Sequence, residues 1–136
     1  LDDVMKFDKK HFPFDRSNFL KKAVELGELI VSLDEDLSTF LGYGIVNKMG
    51  NNVALGPLVA ETPEAAEEII RLMYKKVKAD RYVIFYCDQY KNVFEVIQKW
   101  FPNIAMSCKT MFYKTESFKN YFDTPSIYGL SSYDRG

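Results

Sequence analysis

This 136-residue chain has one histidine and two cysteines, so candidates for a histidine-dependent dyad are few. His11 is the only histidine, so a Ser-His or Cys-His dyad would have to use it. It stands between Lys10 and Phe12, which favours a surface histidine over a base. Cys87 and Cys108 lie within apolar runs, and their spacing fits neither a metal motif nor a CxxC redox motif. We therefore expect two buried free thiols and no metal site.

A run of three carboxylates, Asp34-Glu35-Asp36, is the other candidate for a cation site. It lacks the alternation and the glycine of a calcium-binding loop. A solvated acidic turn is therefore the favoured interpretation.

The clearest signal for binding lies in residues 52–70, NVALGPLVAETPEAAEEII. An apolar strand is interrupted at Gly56-Pro57, and proline within a strand marks an edge or a bulge because it has no amide hydrogen. The strand leads into a helix with Thr62 as N-cap, Pro63 at the first position and Glu64 in the first turn. A kinked strand that runs into a helix N-terminus can present backbone amides to a ligand. The stretch therefore predicts a binding cleft.

The elements before this stretch are predicted from hydrophobic periodicity. Residues 1–14 have no clear period, and we expect an arm that is fixed to the body by Phe7, Phe12 and Phe14. A helix is predicted to start within residues 15–17 and to end at Gly27. Strands are then predicted at 28–33 and 40–47, and with the kinked strand they form an antiparallel meander.

The elements after the kinked strand alternate between helices and strands. A helix is predicted at 63–79, followed by an apolar strand at 82–87 that is covered on both faces and pairs in parallel with the kinked strand. Asp88 is expected to cap the next helix, whose inner face would comprise Tyr90, Val93, Phe94, Ile97, Trp100 and Phe101. Strands are predicted at 104–114 and 127–131, with a short helical turn at 117–121. The predicted class is α+β in α/β/α layers, with a mixed, mostly antiparallel sheet, a central parallel βαβ pair and a kinked strand.

The composition is that of a globular protein, with 47% hydrophobic and 27% charged residues and a net charge of −1. The length suits a single domain over residues 1–136, and the start at Leu1 instead of methionine predicts a fragment of a longer chain. The near-zero net charge argues against nucleic acid as a partner. No apolar run could span a bilayer, so we expect no membrane partner and a reducing, cytoplasmic location.

Four motifs in this order resemble the GNAT superfamily of N-acetyltransferases over nearly the whole chain. They are FPFDRSNFL at 12–20, FLGYGIV at 40–46, LGPLVAETPEAA at 55–66 and IYGLSS at 127–132. They are most similar to the C-terminal acetyltransferase-like domain of proteins with two such domains in tandem, and to a nematode-expanded family of unknown function.

The resemblance implies transfer of an acyl group from acetyl-CoA or another acyl-CoA to an amine substrate. It implies that backbone groups of Leu58, Val59 and Ala60 would pair with the pantetheine arm as an added strand does. Asn92 matches an asparagine that family members often carry, seven residues before a tyrosine that protonates the leaving thiolate.

Two features depart from the family pattern. The pyrophosphate loop normally contains a basic residue and glycines, whereas the corresponding stretch 60–65, AETPEA, has neither and carries Glu61 and Glu64. The residue seven positions after Asn92 is Lys99, so Tyr86 and Tyr90 remain as weak catalytic candidates.

Two functions are therefore predicted as alternatives. The chain is either an acyl-CoA-dependent N-acyltransferase or its accessory, substrate-binding half, with a preceding GNAT domain or a second copy as partner. Otherwise it is a catalytically inactive binding or assembly module that has lost the pyrophosphate loop.

Overall fold

A computed structural model describes residues 1–12, 14–86, 90–103 and 126–130 of the chain. The helices are α1 (Asp2–His11), α2 (Ser17–Leu26), α3 (Pro63–Lys76) and α4 (Lys91–Trp100). The strands are β1 (Glu28–Leu33), β2 (Phe40–Met49), β3 (Asn52–Ala60), β4 (Arg81–Ile84) and β5 (Ile127–Gly129). The strand predicted at 104–114, the helical turn predicted at 117–121, and Asp88 with both cysteines lie outside the described residues.

The strands form one sheet in the order β1-β2-β3-β4, and β5 joins it by pairing with β3. β1, β2 and β3 form the predicted antiparallel meander. β3 and β4 are parallel and are connected through α3, which confirms the predicted βαβ pair. Buried side chains of α3 and α4 share one core with the sheet, and those of α1 and α2 share a second core with it. The α/β/α layering and the α+β class are thus confirmed.

The kink in β3 is a bulge at the predicted residues. Gly44 of β2 lies opposite Leu58 and Val46 lies opposite Leu55. Two residues of β3, Gly56 and Pro57, therefore lie opposite one residue of β2, Ile45. The peptide bond between Gly56 and Pro57 is cis. An extra residue in one strand bends that strand, which sets the direction of the second half of β3.

The helix α1 contradicts the prediction of an irregular N-terminal arm. Its buried positions are only Val4, Phe7 and Asp8, so the apolar stripe is too narrow to show a helical period. The charge pattern does indicate a helix here, because Asp2 and Asp3 lie in the first turn and basic residues lie in the last turn, as the helix dipole favours. Phe7 and Phe12 are buried, as predicted.

Four further details also differ from the predictions. α3 ends at Lys76 instead of 79, and β4 spans only Arg81–Ile84, with half-buried side chains beyond its exposed first residue. On α4, Phe94 was predicted on the inner face but is 40% exposed, and Val96, which the predicted inner face did not include, is buried. Phe14, which was predicted to fix the chain to the body, is 45% exposed, and its ring lies 6.1 Å from that of Phe12. Within the described residues, no helix is both long and apolar enough to cross a membrane.

Candidate active site

The predicted cleft lies where β3 changes its partner. Before the kink, Asn52–Leu55 pairs with Arg81–Ile84 of β4. Beyond the kink, the same edge of β3 pairs with β5 instead, with Leu58 opposite Gly129 and Val59 opposite Ile127. Phe85, just after β4, forms an antiparallel bridge to Leu130. β5 therefore fills the gap that opens between β3 and β4.

Backbone hydrogen bonds hold β5 on both sides of this gap. The amide of Ala60 donates to the carbonyl oxygen of Ser126 at 2.9 Å, and the amide of Leu130 donates to that of Phe85 at 2.7 Å. Gly129 allows a close approach, because a Cβ built there would lie 3.1 Å from Leu58 Cβ and from Ile84 Cδ1, and these neighbours would have to shift. The side chains of Ile127, Tyr128 and Leu130 are buried.

The three residues predicted to pair with a pantetheine arm are Leu58, Val59 and Ala60. All three are fully buried, and the strand edge that a ligand would use is occupied by β5 in this structure. Cofactor binding there stays a prediction, and it requires β5 to leave the gap.

The loop at the start of α3 already uses several of its hydrogen-bond donors. The Thr62 side chain caps the helix as predicted, because its Oγ1 accepts from the amide of Ala65 at 3.1 Å. The amide of Glu61 donates to the carbonyl oxygen of Leu41 at 2.8 Å, and Pro63 has no amide hydrogen. A phosphate would meet few free amides here and the carboxylates of Glu61 and Glu64 nearby.

His11 is more enclosed than the prediction of a surface histidine implied. Its side chain is 12% exposed, its Nε2 lies 3.2 Å from Glu61 Oε1, and its ring lies 4.8 Å from that of Phe7. This position follows from α1, which the sequence interpretation missed. The contact joins the end of α1 to the loop before α3.

Asn92 lies at the start of α4, where it contacts a tyrosine that the sequence interpretation did not select. Its Nδ2 donates to the hydroxyl of Tyr128 at 3.0 Å. Burial, together with the nearby charges of Glu64 and Glu67, raises the pKa of Tyr128, although the hydrogen bond from Asn92 opposes this shift. Tyr128 is therefore a neutral phenol at the centre of the filled gap. The spacing of residues in the sequence does not predict a contact between β5 and α4. Only the motif at 127–132 pointed to the segment that contains Tyr128.

Tyr86 and Tyr90, the two catalytic candidates predicted from the sequence, pack against or precede α4. The Tyr86 hydroxyl accepts from Gln98 Nε2 at 3.3 Å, and Tyr90 is the N-cap residue of α4. Both are half-buried against the core shared with α3. Their catalytic role stays a prediction.

Polar contacts join α3 to the end of α4. Glu67 Oε1 accepts from Lys99 Nζ at 2.7 Å and from Trp100 Nε1 at 3.1 Å. These hydrogen bonds lower the pKa of Glu67. Lys99, which stands where the family has its tyrosine, is thus engaged with α3.

The acidic turn at 34–36 is a solvated turn, as predicted. Asp34 Oδ1 accepts from the amides of Ser38 at 2.9 Å and Thr39 at 3.1 Å, which lowers the pKa of Asp34. Over the described part of the chain, no group of three or more His, Cys, Asp or Glu side chains could hold a metal ion.

Comparison with family models matches residues 4–129 to the acetyltransferase (GNAT) domain. Searches of the curated proteins and of the solved structures gave no match. The match covers most of the chain, and the kinked strand, the parallel βαβ pair and the helix that follows the kink lie within it. The chain therefore belongs to the acetyltransferase (GNAT) domain family.

Proposed function

We propose that the chain serves acyl-CoA-dependent N-acylation as an accessory half, which contributes to the substrate site while another domain holds acyl-CoA. One observation carries this proposal: β5 occupies the edge of β3 that a pantetheine arm would need. The same backbone groups cannot pair with β5 and with a ligand at once. The partner would be a preceding GNAT domain in a longer chain or a second copy of this one.

The charges at the start of α3 support the same assignment. A helix N-terminus favours an anion, but here the nearest carboxylates belong to the protein itself. Glu61 and Glu64 are exposed, so both would repel a pyrophosphate. Proline at the first helical position removes one further donor.

Ligand binding to the chain alone tests the first half of the proposal. Calorimetry and thermal shift with CoA, acetyl-CoA and longer acyl-CoAs should show no saturable binding up to millimolar ligand. A binder at a hundredfold excess over its Kd would stabilise the fold by about 2.7 kcal/mol, so it would not be missed. Micromolar binding of any acyl-CoA to the isolated chain would contradict the proposal.

The accessory role is tested in a longer chain that carries a preceding GNAT domain. Removing the present domain should raise KM for the amine acceptor and leave the Kd for acyl-CoA unchanged. If neither quantity changes, the domain is a catalytically inactive binding or assembly module. Sedimentation of the present chain alone would show whether a second copy is its partner.

A self-contained acyltransferase is the second candidate, and the structure of β3 favours it. The bulge at Gly56-Pro57 and the parallel pair with β4 are both retained. Undocking of the three-residue strand β5 would expose the β3 edge. On this hypothesis, variants that destabilise β5 should bind acyl-CoA more tightly than the unmodified chain.

A further inference from the structure

A second candidate site lies in the α1–α2 layer. A cavity of about 300 Å³ opens beside α1 and the beginning of α2. Its lining includes the apolar side chains of Met5, Phe14 and Leu20 and the basic side chains of Lys6, Lys9 and Arg16. Its volume is at the lower end of the range for small-molecule sites.

Arg16 is the unusual member of this lining. Its side chain is only 6% exposed, and its guanidinium group lies 3.7 Å from the centre of the Phe12 ring. Its Nε is 3.7 Å from Asp8 Oδ2, but neither Nη1 nor Nη2 has a hydrogen-bond partner among the described residues. A buried guanidinium with unpaired terminal nitrogens is costly, because those donors have lost water without gaining an acceptor.

Three carboxylates line the cavity, and none of them accepts a hydrogen bond from a terminal nitrogen of Arg16, although Asp8 lies beside its Nε. Asp8 accepts a hydrogen bond from the Tyr43 hydroxyl, and burial raises the pKa of Asp8. Asp15 accepts from the amide and the hydroxyl of Ser17. Asp2 is exposed in the first turn of α1. The terminal nitrogens of Arg16 therefore remain unpaired.

The two lysines add positive charge on the solvent side of the cavity. Lys6 and Lys9 are exposed, and neither forms an ion pair with another described residue. Lys9 is close enough to Asp15 to influence its pKa, which is lowered mainly by the hydrogen bonds from Ser17. The cavity thus combines an apolar wall with three cationic groups and three carboxylates, and none of these carboxylates accepts a hydrogen bond from the terminal nitrogens of Arg16.

We propose that this cavity binds a small organic carboxylate, whose oxygens pair with Arg16 Nη1 and Nη2 while its apolar body contacts Met5, Phe14 and Leu20. The planar fork of an arginine matches a carboxylate with two parallel hydrogen bonds. Lys6 and Lys9 attract the anion to the entrance.

Binding requires a side-chain adjustment, because both terminal nitrogens of Arg16 are shielded from solvent in this structure. Phe14 lines the same cavity and is 45% exposed. Changes of side-chain rotamer at a site are common on binding. The gain is the pairing of donors that are otherwise buried without acceptors.

The test uses benzoate and its neutral isostere benzamide on the full chain at constant ionic strength. Saturable binding is followed by NMR line shifts and by the melting temperature, with inorganic phosphate as a second anion. We expect saturation with benzoate and none with benzamide. Equal responses to benzoate and benzamide would overturn the proposal. Saturable binding of phosphate but not benzoate would overturn the assignment to an organic carboxylate.

Variants locate the binding. Lys6→Gln combined with Lys9→Gln should weaken benzoate binding about threefold or more, as expected for exposed charges, and Arg16→Gln should weaken it at least about tenfold. Lys10→Gln removes the same charge from an exposed position of α1 outside the cavity lining, and it should leave binding unchanged. If Arg16→Gln does not fold, the comparison of the Lys6/Lys9 variant with the Lys10 variant still tests whether benzoate binds at this cavity. Binding that is equally strong in the Lys6/Lys9 variant and in the Lys10 variant would refute the site.

Discussion

Gly129→Val tests whether β5 blocks the strand edge that acyl-CoA would use. The Cβ position at Gly129 is 3.1 Å from Leu58 Cβ and from Ile84 Cδ1, and valine adds two methyl groups beyond it. Leu58 belongs to β3 and Ile84 to β4, so the new side chain would press on both strands that β5 joins. Overpacking of this kind costs about 1–3 kcal/mol.

That cost is large compared with the stability of β5 docking. Burying an apolar side chain contributes about 1.5–3 kcal/mol, whereas fixing the backbone of one residue costs about 1–2 kcal/mol. Docking of so short a segment is therefore a small difference between these terms. An added cost of about 1.4 kcal/mol lowers the docked-to-undocked ratio tenfold.

Native-state hydrogen exchange measures this ratio directly. The amides of Ala60 and Leu130 donate across the two edges of β5, so both should exchange about tenfold faster in Gly129→Val. Amides in the β1–β2 pair provide the internal control and should keep their rates. Unchanged protection of Ala60, or the same acceleration throughout the sheet, would refute local undocking. If the self-contained enzyme hypothesis holds, the variant should also bind acyl-CoA about tenfold more tightly.

Three further predictions concern α3, its bridge to α4 and the filled gap. Thr62→Ala removes the side-chain cap of α3 and should lower the free energy of unfolding by about 1 kcal/mol in urea titrations; an unchanged midpoint would contradict the capping role. Glu67→Gln keeps an acceptor but loses the ionic bond to Lys99, so it should destabilise the fold at neutral pH by about 0.5–1.5 kcal/mol. Because folding lowers the pKa of Glu67, its stabilisation is present above the ordinary value of 4.5 and is lost as the pH falls through the folded value; a stability difference between Glu67→Gln and the unmodified chain that does not shrink on acidification would refute the assignment. Tyr128→Phe removes the acceptor for the hydrogen bond from α4 and should cost about 0.5–1.5 kcal/mol, measured by denaturation, whereas no loss would show that the hydroxyl is dispensable.

The bulge and the helix start could be predicted because their signals are local. A proline within a strand has few permitted positions, and Thr62-Pro63 carries the preferences of an N-cap and a first helical residue. The structure places both features at the predicted residues. The βαβ connection followed from the order of the elements.

The features that escaped prediction depend on tertiary contacts. α1 was missed because it buries few residues, and one of them is Asp8, whose burial depends on Tyr43 in a distant strand. The contact between Asn92 and Tyr128 joins α4 to β5, and no periodicity in either segment indicates it. The filled gap was missed for the same reason, since the motif predicted a strand at 127–131 but not its insertion beside β3.

The insertion of β5 also bears on how the chain reaches its fold. β3 and β5 are separated by two helices and one strand in the described chain order, so their pairing is a long-range contact. Such contacts form late and slow the folding of a domain. During synthesis, the second half of β3 is complete long before Ile127 leaves the ribosome, and its unpaired apolar edge can recruit another nascent chain. Chains that stall or are cleaved before β5 should therefore aggregate through β3. In the complete fold, β5 covers this edge of β3 and so protects the chain against misassembly.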